Sequence, residues 1–364
     1  MKVGLYTPGI DRRFIGGPTK YQINLANALV KIKNIEVYLL HHKFSFAHNF
    51  EVNHIIISDK KPLFWEIKVN KINLDIIHFN LIPISRRIFF PTLRSKKVAT
   101  VHGDLHWIKA SFSDYNSPKS RIRRMLEPWT CMFMDAIIMV SHNLKERLIP
   151  HLKIPDVKIK VIHEGVSPIY KPLKNASYIK KKYNISRPFI FHVSNLSLKK
   201  NPITLFKTFK NLIEKGYNLE LVIAGARWKK NYIKRMIENF GIASKVKFLG
   251  YVPEKDLVAL YNAAEAFFYP SLHETFGFPV LEAMACGTPV VTSRVYSLPE
   301  ITGDAAILCD PHNIKCFSNA IESLLKDESL KNEMVSKGLR NVKRFSWEKC
   351  ARETIKVYKK ILNE

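Results

Sequence analysis

Hydrophobic and polar positions alternate along the chain in two ways, and the two patterns follow each other in a regular order. Short runs rich in β-branched and aromatic residues predict strands, and apolar positions three or four residues apart predict helices. In the first half, the predicted strands are 2–7, 36–40, 54–58, 75–79, 97–102, 136–140 and 158–163. Predicted helices, such as 19–31 and 121–134, stand between them. Alternation of strands and helices favours a parallel sheet covered by helices on both faces.

The alternation stops over residues 164–188, where three prolines and a run of three lysines interrupt it, and then resumes. The later predicted strands are 189–193, 219–224, 246–249, 266–269, 290–292 and 306–308. Helices are predicted between them at 202–214, 231–240, 254–262 and 278–285, and after them at 314–325, 330–344 and 346–362. The pattern therefore predicts a second doubly wound domain after the first.

Length and composition indicate a folded globular protein, because the chain has 364 residues, of which 46% are apolar and 24% charged. No apolar run reaches the roughly 20 residues that a membrane-spanning helix needs. Residues 2–7 read as a strand, so we expect no signal peptide and a cytoplasmic location. The five cysteines contain no C-x-x-C pair, and we expect them to be reduced and packed in the core.

The formal net charge of +27 is unevenly distributed along the chain. Residues 1–250 carry 44 Lys and Arg against 16 Asp and Glu, whereas residues 251–364 carry 14 against 15. A cationic first two-thirds would attract a phosphorylated acceptor or the anionic inner face of the cell membrane. A general bias towards lysine explains the same charge without a function, and both interpretations stay open. No recognised nucleic-acid module accompanies the charge, so we expect no nucleic-acid partner.

The segment 271–290, SLHETFGFPVLEAMACGTPV, concentrates the candidate chemistry. Glu274 lies in a loop after a predicted strand, and Gly277 permits a close backbone approach. Pro279 falls in the first turn of a predicted helix that also carries Glu282. Backbone N–H groups at that helix start would face an anion, and carboxylates make strong hydrogen bonds to sugar and ribose hydroxyls. The segment therefore predicts a diphosphate site flanked by two acids.

This segment resembles the E-x7-E signature of family 4 glycosyltransferases. The similarity continues through FGFPVLEAMACGTPVV, SLPEITGDAAILCDP and FSWEKCA in the family's order, covers residues 189–350, and is weaker in the first half. The resemblance implies an α/β GT-B fold, with two Rossmann-like doubly wound domains facing across a cleft. We place an acceptor-side domain at 1–170 and a nucleotide-sugar-binding domain at 171–345. The helix at 346–364 is expected to pack back on the first domain.

The implied activity is that of a retaining hexosyltransferase of polysaccharide or other glycan biosynthesis. It would move a hexose, with mannose as the first expectation, from a nucleotide sugar to a glycan or lipid-linked acceptor. GDP-mannose is the first donor expected and a UDP-sugar the second. No residue cluster has metal-ligand spacing, so we expect no metal and no other cofactor. The alternative is a non-catalytic nucleotide-sugar-binding or scaffold subunit of a glycan-assembly complex.

The resemblance also implies roles for individual residues near the signature. Glu274 matches the acid that contacts the transferred sugar, and Glu282 matches the acid that holds the ribose diol of the donor. Gly277 and Phe278 match the positions whose backbone amides meet the donor phosphates. Glu300, in SLPE, matches an acidic position that lines the donor site, although it is equally suited to capping a helix.

The turn at 192–202, HVSNLSLKKNP, resembles the family's strand-turn that brings cations to the leaving diphosphate. Lys200 matches the phosphate-binding lysine, with Lys199 beside it, and two ammonium groups can neutralise the leaving group without a metal. Asn195 stands where many relatives carry an arginine, and Ser194 where a glycine is usual. Both departures weaken the expected hold on the diphosphate, and a Lys-Lys pair on a solvated turn is the alternative interpretation.

In the first half, Gly16 and Gly17 follow the first predicted strand and resemble the family's glycine loop, which approaches the donor phosphate. His102, in the string VHGDLHW, ends the predicted strand and resembles the histidine beside the transferred sugar, where it would donate a hydrogen bond. A buried, hydrogen-bonded core histidine is the alternative. Asp104 and His106 are further candidates for the same role.

Two remaining groups are defined by position. Gly250, Tyr251 and Val252 match the family's positions whose backbone groups contact the nucleobase of the donor. A mixed aromatic and basic cluster consists of Trp107, Phe112, Tyr115, Arg121, Arg123, Arg124 and Trp129. This cluster suits a membrane-interface or acceptor surface, or an amphipathic helix packed on its apolar side with a solvated basic edge. The packed helix is the expectation.

Overall fold

The computed structural model describes residues 1–7, 17–41, 53–56, 69–80, 93–107, 109, 115–152 and 154–364. The chain forms two compact units. Unit 1 contains residues 1–165 together with 345–364, and unit 2 contains residues 166–344. Each unit is built around its own parallel sheet.

The sheet of unit 1 has the strand order β3-β2-β1-β4-β5-β6-β7, and every neighbouring pair is parallel. Its strands are β1 (Lys2–Tyr6), β2 (Glu36–His41), β3 (Asn53–Ile56), β4 (Ile76–Phe79), β5 (Lys96–Val101), β6 (Ala136–Met139) and β7 (Ile159–Val161). Every residue of β4 and β6 is buried. Continuous burial of this kind is expected of parallel strands that are covered on both faces.

The sheet of unit 2 has the order β10-β9-β8-β11-β12-β13, again with parallel neighbours. Its strands are β8 (Phe189–Val193), β9 (Glu220–Ala224), β10 (Val246–Gly250), β11 (Ala266–Tyr269), β12 (Val290–Ser293) and β13 (Ile307–Cys309). The order reverses between β8 and β11, which is the point where doubly wound sheets bind ligands at their carboxyl edge. The predicted doubly wound α/β fold class is confirmed for both sheets.

The helices cover the sheets. They are α1 (Gly17–Leu29), α2 (Pro118–Met132), α3 (His142–Leu152), α4 (Tyr178–Lys182), α5 (Pro202–Glu214), α6 (Asn231–Asn239), α7 (Glu254–Ala263), α8 (Phe278–Ala285), α9 (Leu298–Thr302), α10 (Ile314–Lys326), α11 (Glu328–Val342) and α12 (Trp347–Asn363). Sequence patterning missed α3, α4 and α9. The signal for α3 was its buried Leu144, Leu148 and Leu152, four residues apart, although Pro150 in its last turn argued against a helix.

The C-terminal helix α12 belongs to unit 1 and packs on α1. It begins after Ser346, whose side chain accepts the backbone N–H of Lys349 and caps the helix. The rings of Trp347 and Tyr21 lie 5.8 Å apart. Tyr358 reaches the sheet, where its hydroxyl lies 2.6 Å from Nδ1 of the buried His78. A polar contact therefore accompanies the apolar packing of this helix.

The cysteines differ from the expectation of five reduced core residues. Cys309, at the end of β13, and Cys316, in the first turn of α10, form a disulfide. Cys131, Cys286 and Cys350 are free and buried, as expected. The sequence expectation was wrong for the pair because two cysteines at a sequence separation of seven show no spacing signature, and only the return of α10 beside β13 brings the two sulfur atoms together.

The sequence contains no apolar run of the length that a membrane-spanning helix needs. Within the described parts of the chain, no helix is both long enough and apolar enough to cross a bilayer.

Candidate active site

The loop after β11 leads directly into α8 at the carboxyl edge of the second sheet. Gly277 adopts φ +110 in the left-handed region, and a Cβ there would lie 3.0 Å from Cδ2 of Leu298. This conformation lets the chain turn sharply into the helix at Phe278. Pro279 follows in the first turn, where a helix needs no N–H donor. The local sequence thus forms the helix start that was predicted as the diphosphate site.

Glu274 and Lys200 meet beside this helix start. Lys200 Nζ forms an ion pair with Oε1 of Glu274 and also contacts the hydroxyl of Tyr269, while both charged side chains are nearly buried, at 12% and 11% exposure. Tyr269 donates to the same carboxylate oxygen at 2.9 Å, and Ser271 donates to it at 2.8 Å. The carboxylate is therefore held by an ammonium group and two hydroxyls.

These contacts set the charge of Glu274. Burial by itself raises the pKa of Glu274, but the nearby ammonium groups of Lys200 and Lys199 and the hydrogen bonds from Lys200 and Ser271 lower it to about 2. Burial lowers the pKa of Lys200, and Glu274 opposes that change. At neutral pH the site therefore contains an ionised carboxylate that can accept hydrogen bonds or stabilise positive charge.

The lysine turn and the glutamate loop are joined by backbone contacts. The carbonyl of Lys199 accepts the N–H of Leu272 at 2.7 Å, and the hydroxyl oxygen of Ser271 lies 3.0 Å from the same carbonyl. Asn201 follows Lys200 in the left-handed conformation, and its side chain accepts the N–H of Thr204 to cap α5. The ion pair is thus fixed at both ends by secondary structure.

Glu282 lies on α8 and is buried. The hydroxyl of Tyr261 donates to its Oε2 at 3.0 Å. The Tyr170 hydroxyl, which donates to Glu254 at 3.2 Å, also lies beside Glu282. Because two tyrosines contact it, Glu282 is held in one orientation rather than extended into solvent.

The turn after β8 carries the two departures from the family pattern. Ser194 is buried, with its hydroxyl 2.8 Å from Nε2 of His192 and its carbonyl accepting the Trp228 indole N–H at 2.6 Å. Asn195 accepts the N–H of Ala226 at 2.8 Å. A Cβ on Gly225 would lie 2.0 Å from the carbonyl oxygen of Ser194, so the two turns are in tight backbone contact. The Asn195 side chain therefore links the two turns, whereas the Ser194 hydroxyl contacts His192 of β8.

Other predicted donor-site positions lie around the same sheet edge. Gly250, at φ +72, ends β10 and accepts the N–H of Gly225 at 2.7 Å through its carbonyl. Tyr251 is 71% exposed, whereas Val252 is buried. Glu300 lies in the first turn of α9.

In unit 1, His102 follows β5 directly and is nearly buried. Its Nδ1 lies 3.0 Å from Oε1 of Glu164, and its ring is 4.6 Å from the ring of Tyr21. Gly17 is the exposed first residue of α1, and Gly16 lies outside the described residues. Sequence reasoning missed Glu164, for which a lone acid after a predicted strand was the available signal.

Asp104 and His106 are not placed as alternatives to His102. Asp104 is buried in an ion pair with Arg147, and His106 is paired with the buried Glu127. Glu127 also accepts the indole N–H of Trp107 at 2.8 Å. Both side chains therefore hold the segment after β5 against α2 and α3.

The aromatic and basic cluster differs from the expected packed helix. Helix α2 buries Ser120, Glu127 and Cys131, whereas its exposed apolar stripe consists of Ile122, Met125, Trp129, Met132 and the capping residue Phe133. Met125 is 62% and Trp129 65% exposed. Phe112 lies outside the described residues. The expectation was wrong because Glu127 takes the inward face, where it satisfies His106, Trp107 and Arg123.

A groove of about 490 Å³ adjoins this stripe. Its wall includes Trp107 and His151, whose rings stack at 4.7 Å. Arg124, at its edge, donates to the carbonyls of His106 and Tyr115 and lies 3.8 Å from the centroid of the Tyr115 ring. The stripe and the groove together form an apolar surface with basic groups at its border.

Solved structures share this architecture over nearly the whole chain. Sucrose-phosphate synthase from Thermosynechococcus elongatus aligns with a TM-score of 0.77 at 19% identity, covering 100% of this chain and 99% of that one. Anabaena Alr3699/HepE in complex with UDP-glucose aligns with a TM-score of 0.80 at 18% identity, covering 99% and 100%. The two doubly wound units therefore define a protein of the GT-B fold class.

Family models match both halves of the sequence. The model described as "Glycosyltransferase Family 4" matches residues 15–169, and "Glycosyl transferases group 1" matches residues 176–341. The chain belongs to the family 4 glycosyltransferases, as its E-x7-E segment indicated.

The similar curated proteins are matched over only part of their length. O-antigen chain mannosyltransferase B of Escherichia coli is 34% identical over 249 residues, which are 66% of this chain and 65% of that protein. D-inositol 3-phosphate glycosyltransferase of Corynebacterium glutamicum is 27% identical over 265 residues, 69% of this chain and 63% of that protein. The similarity thus spans slightly less than two thirds of each relative.

Proposed function

We propose that this protein is a retaining hexosyltransferase that moves a sugar from a nucleotide-sugar donor to a glycan or lipid-linked acceptor. The observation that carries the proposal is the buried Lys200–Glu274 pair beside the start of α8, at the carboxyl edge of the second sheet. Unit 2 would bind the nucleotide sugar and unit 1 would serve the acceptor. Membership in the glycosyltransferase family supports both assignments.

The proposed reaction begins with departure of the nucleoside diphosphate from the sugar. Negative charge grows on the phosphate, where Lys200, Lys199 and the positive end of the α8 dipole stabilise it. Positive charge grows on the sugar ring, where the ionised Glu274 stabilises it. By resemblance, His102 also contacts the sugar, Glu282 holds the ribose, and Gly250, Tyr251 and Val252 border the base. The acceptor hydroxyl then attacks from the face that the diphosphate left and passes its proton to the departing phosphate oxygen, which retains the anomeric configuration.

Because two ammonium groups and a helix start already neutralise the leaving group, we propose that no divalent ion is required. A chelator such as EDTA should leave the rate of donor hydrolysis unchanged within about twofold, which is under 0.5 kcal/mol in barrier height. Loss of activity in EDTA that Mg²⁺ or Mn²⁺ restores would contradict this part of the proposal.

The donor we propose first is GDP-mannose, and a UDP-sugar is second. The mannosyltransferase named among the relatives supports mannose, whereas the UDP-glucose complex named among the similar structures supports the second choice. The test is a panel of GDP-mannose, UDP-glucose, UDP-galactose and UDP-N-acetylglucosamine, with slow release of nucleoside diphosphate as the readout. Preferential release from one donor supports an enzyme and identifies its sugar.

Glu274→Ala should abolish this release while circular dichroism shows the fold intact. The matched control is Glu333→Ala, which removes an exposed carboxylate of the same unit. Full activity in Glu274→Ala would reject the assignment. Tight nucleotide-sugar binding without any turnover would favour the scaffold alternative. Salt-dependent binding to DNA or RNA, with no response to nucleotide sugars, would favour a nucleic-acid function.

We further propose that unit 1 rests on an anionic membrane surface at the cytoplasmic face, through the exposed apolar stripe of α2. A helix with apolar side chains on one exposed face and Lys or Arg beside them binds at the lipid headgroup boundary. Lys119 and Arg121 are exposed on the same helix. Each basic group near an anionic surface contributes about 1 kcal/mol.

Vesicle sedimentation tests this contact. The protein should pellet with vesicles containing phosphatidylglycerol and much less with pure phosphatidylcholine. Trp129→Ser combined with Met125→Ser should reduce binding at least tenfold, or about 1.4 kcal/mol. Tyr232→Ser, which removes an exposed aromatic side chain from unit 2, is the control. Equal binding by the double variant would exclude the α2 stripe as the contact.

A further inference from the structure

A buried acid accompanies His102. Nδ1 of His102 lies 3.0 Å from Oε1 of Glu164, and the two side chains are only 7% and 2% exposed. The Tyr21 ring stands edge-on to the imidazole at a centroid distance of 4.6 Å and an interplanar angle of 66°. The Tyr21 hydroxyl is in turn 3.0 Å from Oγ1 of Thr100. Contacts on two sides therefore restrict the rotation of the imidazole.

Glu164 is itself fixed in position. It lies shortly after β7 and directly before Gly165, where an added Cβ would be 2.3 Å from the backbone nitrogen of Trp347. Burial raises the pKa of Glu164, and His102, by hydrogen bond and charge, and His163, by charge, oppose this change. A carboxylate at such depth is costly unless a polar partner compensates it, and the His102 imidazole is 3.0 Å from its Oε1.

We propose that Glu164 is a positioning residue: it accepts the Nδ1–H of His102 and thereby directs Nε2 of the same imidazole at the ligand. The inference rests on the proposed function, which places His102 beside the transferred sugar. A neutral imidazole has one N–H and one acceptor nitrogen, so a carboxylate on Nδ1 fixes which atom plays each part. With the proton on Nδ1, Nε2 is the nitrogen that can accept a hydrogen bond.

Replacement of Glu164 separates positioning from packing. Glu164→Gln keeps an oxygen that can accept the Nδ1–H, whereas Glu164→Leu keeps the bulk and removes the acceptor. The imidazole of Glu164→Leu should lose its fixed tautomer, and kcat for donor hydrolysis should fall about 10-fold to 100-fold, as when an orienting partner is removed from a ligand histidine. KM for the donor should change less than threefold, and Glu164→Gln should recover most of kcat.

The matched control is Glu127→Leu, which removes the acid from another buried Glu–His pair of the same unit. This variant should lose stability but keep kcat per folded molecule. If Glu127→Leu and Glu164→Leu lower kcat equally, the effect is one of general packing and the inference is overturned. A kcat for Glu164→Leu equal to that of the unaltered chain would overturn it as well.

A second readout is independent of turnover. In the full chain labelled with 15N-histidine, His102→Gln identifies the His102 signals, and their chemical shifts report which ring nitrogen carries the proton. We expect protonated Nδ1 in the unaltered protein and in Glu164→Gln, and a mixture in Glu164→Leu. A His102 protonated on Nε2 alone would refute the positioning role. A chain that hydrolyses no donor but shows the expected tautomers would refute the proposed function and leave the Glu164–His102 arrangement supported.

Discussion

Removal of the ammonium group from the Lys200–Glu274 pair should destabilise unit 2 by an amount that depends on pH. Lys200→Met keeps most of the side-chain volume but leaves Glu274 buried beside Tyr269 and Ser271 without its cation. Breaking a buried pair by removing one partner costs about 3–5 kcal/mol, because an uncompensated charge remains. The hydroxyl donors from Tyr269 and Ser271 place the expectation at the lower end of this range.

The pKa of Glu274 gives a second estimate of the magnitude. Its folded value of about 2 lies below the ordinary value of 4.5. A difference of this size corresponds to about 3 kcal/mol of stabilisation of the folded chain at neutral pH. The lowered pKa of Lys200 shows that burial of the ammonium opposes folding, so the net contribution of the pair is smaller. Lys200→Met should still cost about 3 kcal/mol at pH 7, because it leaves the buried carboxylate without its cation.

The sign of the pH dependence follows from the two states of Glu274. In the unaltered chain its pKa is depressed on folding, so its contribution is present above pH 4.5 and is lost as the pH falls towards about 2. In Lys200→Met, burial without the cation raises the pKa, so the carboxyl group stabilises the fold only when protonated. The difference between the two proteins should be largest at pH 7 and should shrink as the pH approaches 4.

Urea unfolding, followed by hydrogen exchange in peptides from residues 166–344, measures this difference in unit 2 alone. Lys215→Met is the control, because it removes an ammonium from the partly exposed pair with Glu322 and should cost less than about 1 kcal/mol. Adding Glu274→Gln to Lys200→Met should recover part of the loss. Equal losses in the two lysine variants, or a Lys200→Met effect that is the same at pH 7 and pH 4, would refute the reasoning.

Further predictions concern the tight turn at Gly225, the buried His78 and the Cys309–Cys316 disulfide. In urea titrations, Gly225→Ala should lower the stability of unit 2 by more than about 2 kcal/mol, because the added Cβ would lie 2.0 Å from the Ser194 carbonyl oxygen. The control is Gly216→Ala, which has a positive φ but open space around the added Cβ and should cost about 1 kcal/mol. Burial lowers the pKa of His78 to about 3, so the neutral imidazole contributes to stability above pH 6.5, and this contribution is lost as the pH falls. The free energy of unfolding of unit 1 should therefore decrease by about 2 kcal/mol between pH 6.5 and 5. His78→Asn should remove this pH dependence of stability. Reducing the Cys309–Cys316 disulfide, which closes a short loop, should lower stability by about 2–3 kcal/mol, and alkylation with mass spectrometry before and after reduction should detect two additional thiols.

The strands were predictable because parallel strands buried on both faces read as short continuous apolar runs. The predicted 189–193 and 266–269 coincide with β8 and β11, and helices 202–214 and 278–285 coincide with α5 and α8. Pro202 and Pro279 mark the starts of these two helices in the sequence itself. Local signals of this kind need no knowledge of distant partners.

Partners of the site residues were not predictable, because they come from distant parts of the chain. Glu282 was recognised, but the tyrosines that hold it lie 21 and 112 positions earlier, at Tyr261 and Tyr170. The outward apolar stripe of α2 was also missed. Periodicity shows that a helix has an apolar side, but Glu127 and its partners decide which side faces the sheet.

The Lys200–Glu274 pair connects the cost of folding with the proposed chemistry. Two charges this deeply buried contribute little net stability, since desolvation offsets most of their attraction. Their separation nevertheless has the polarity that the proposed donor cleavage requires, because the proposal places the phosphate at the cation and the sugar at the anion. Lys200 has three N–H donors, so it can bind a phosphate oxygen while remaining paired with Glu274. A pair that is nearly neutral for the fold can thus be strongly stabilising in the transition state, because its dipole is already oriented before the donor arrives.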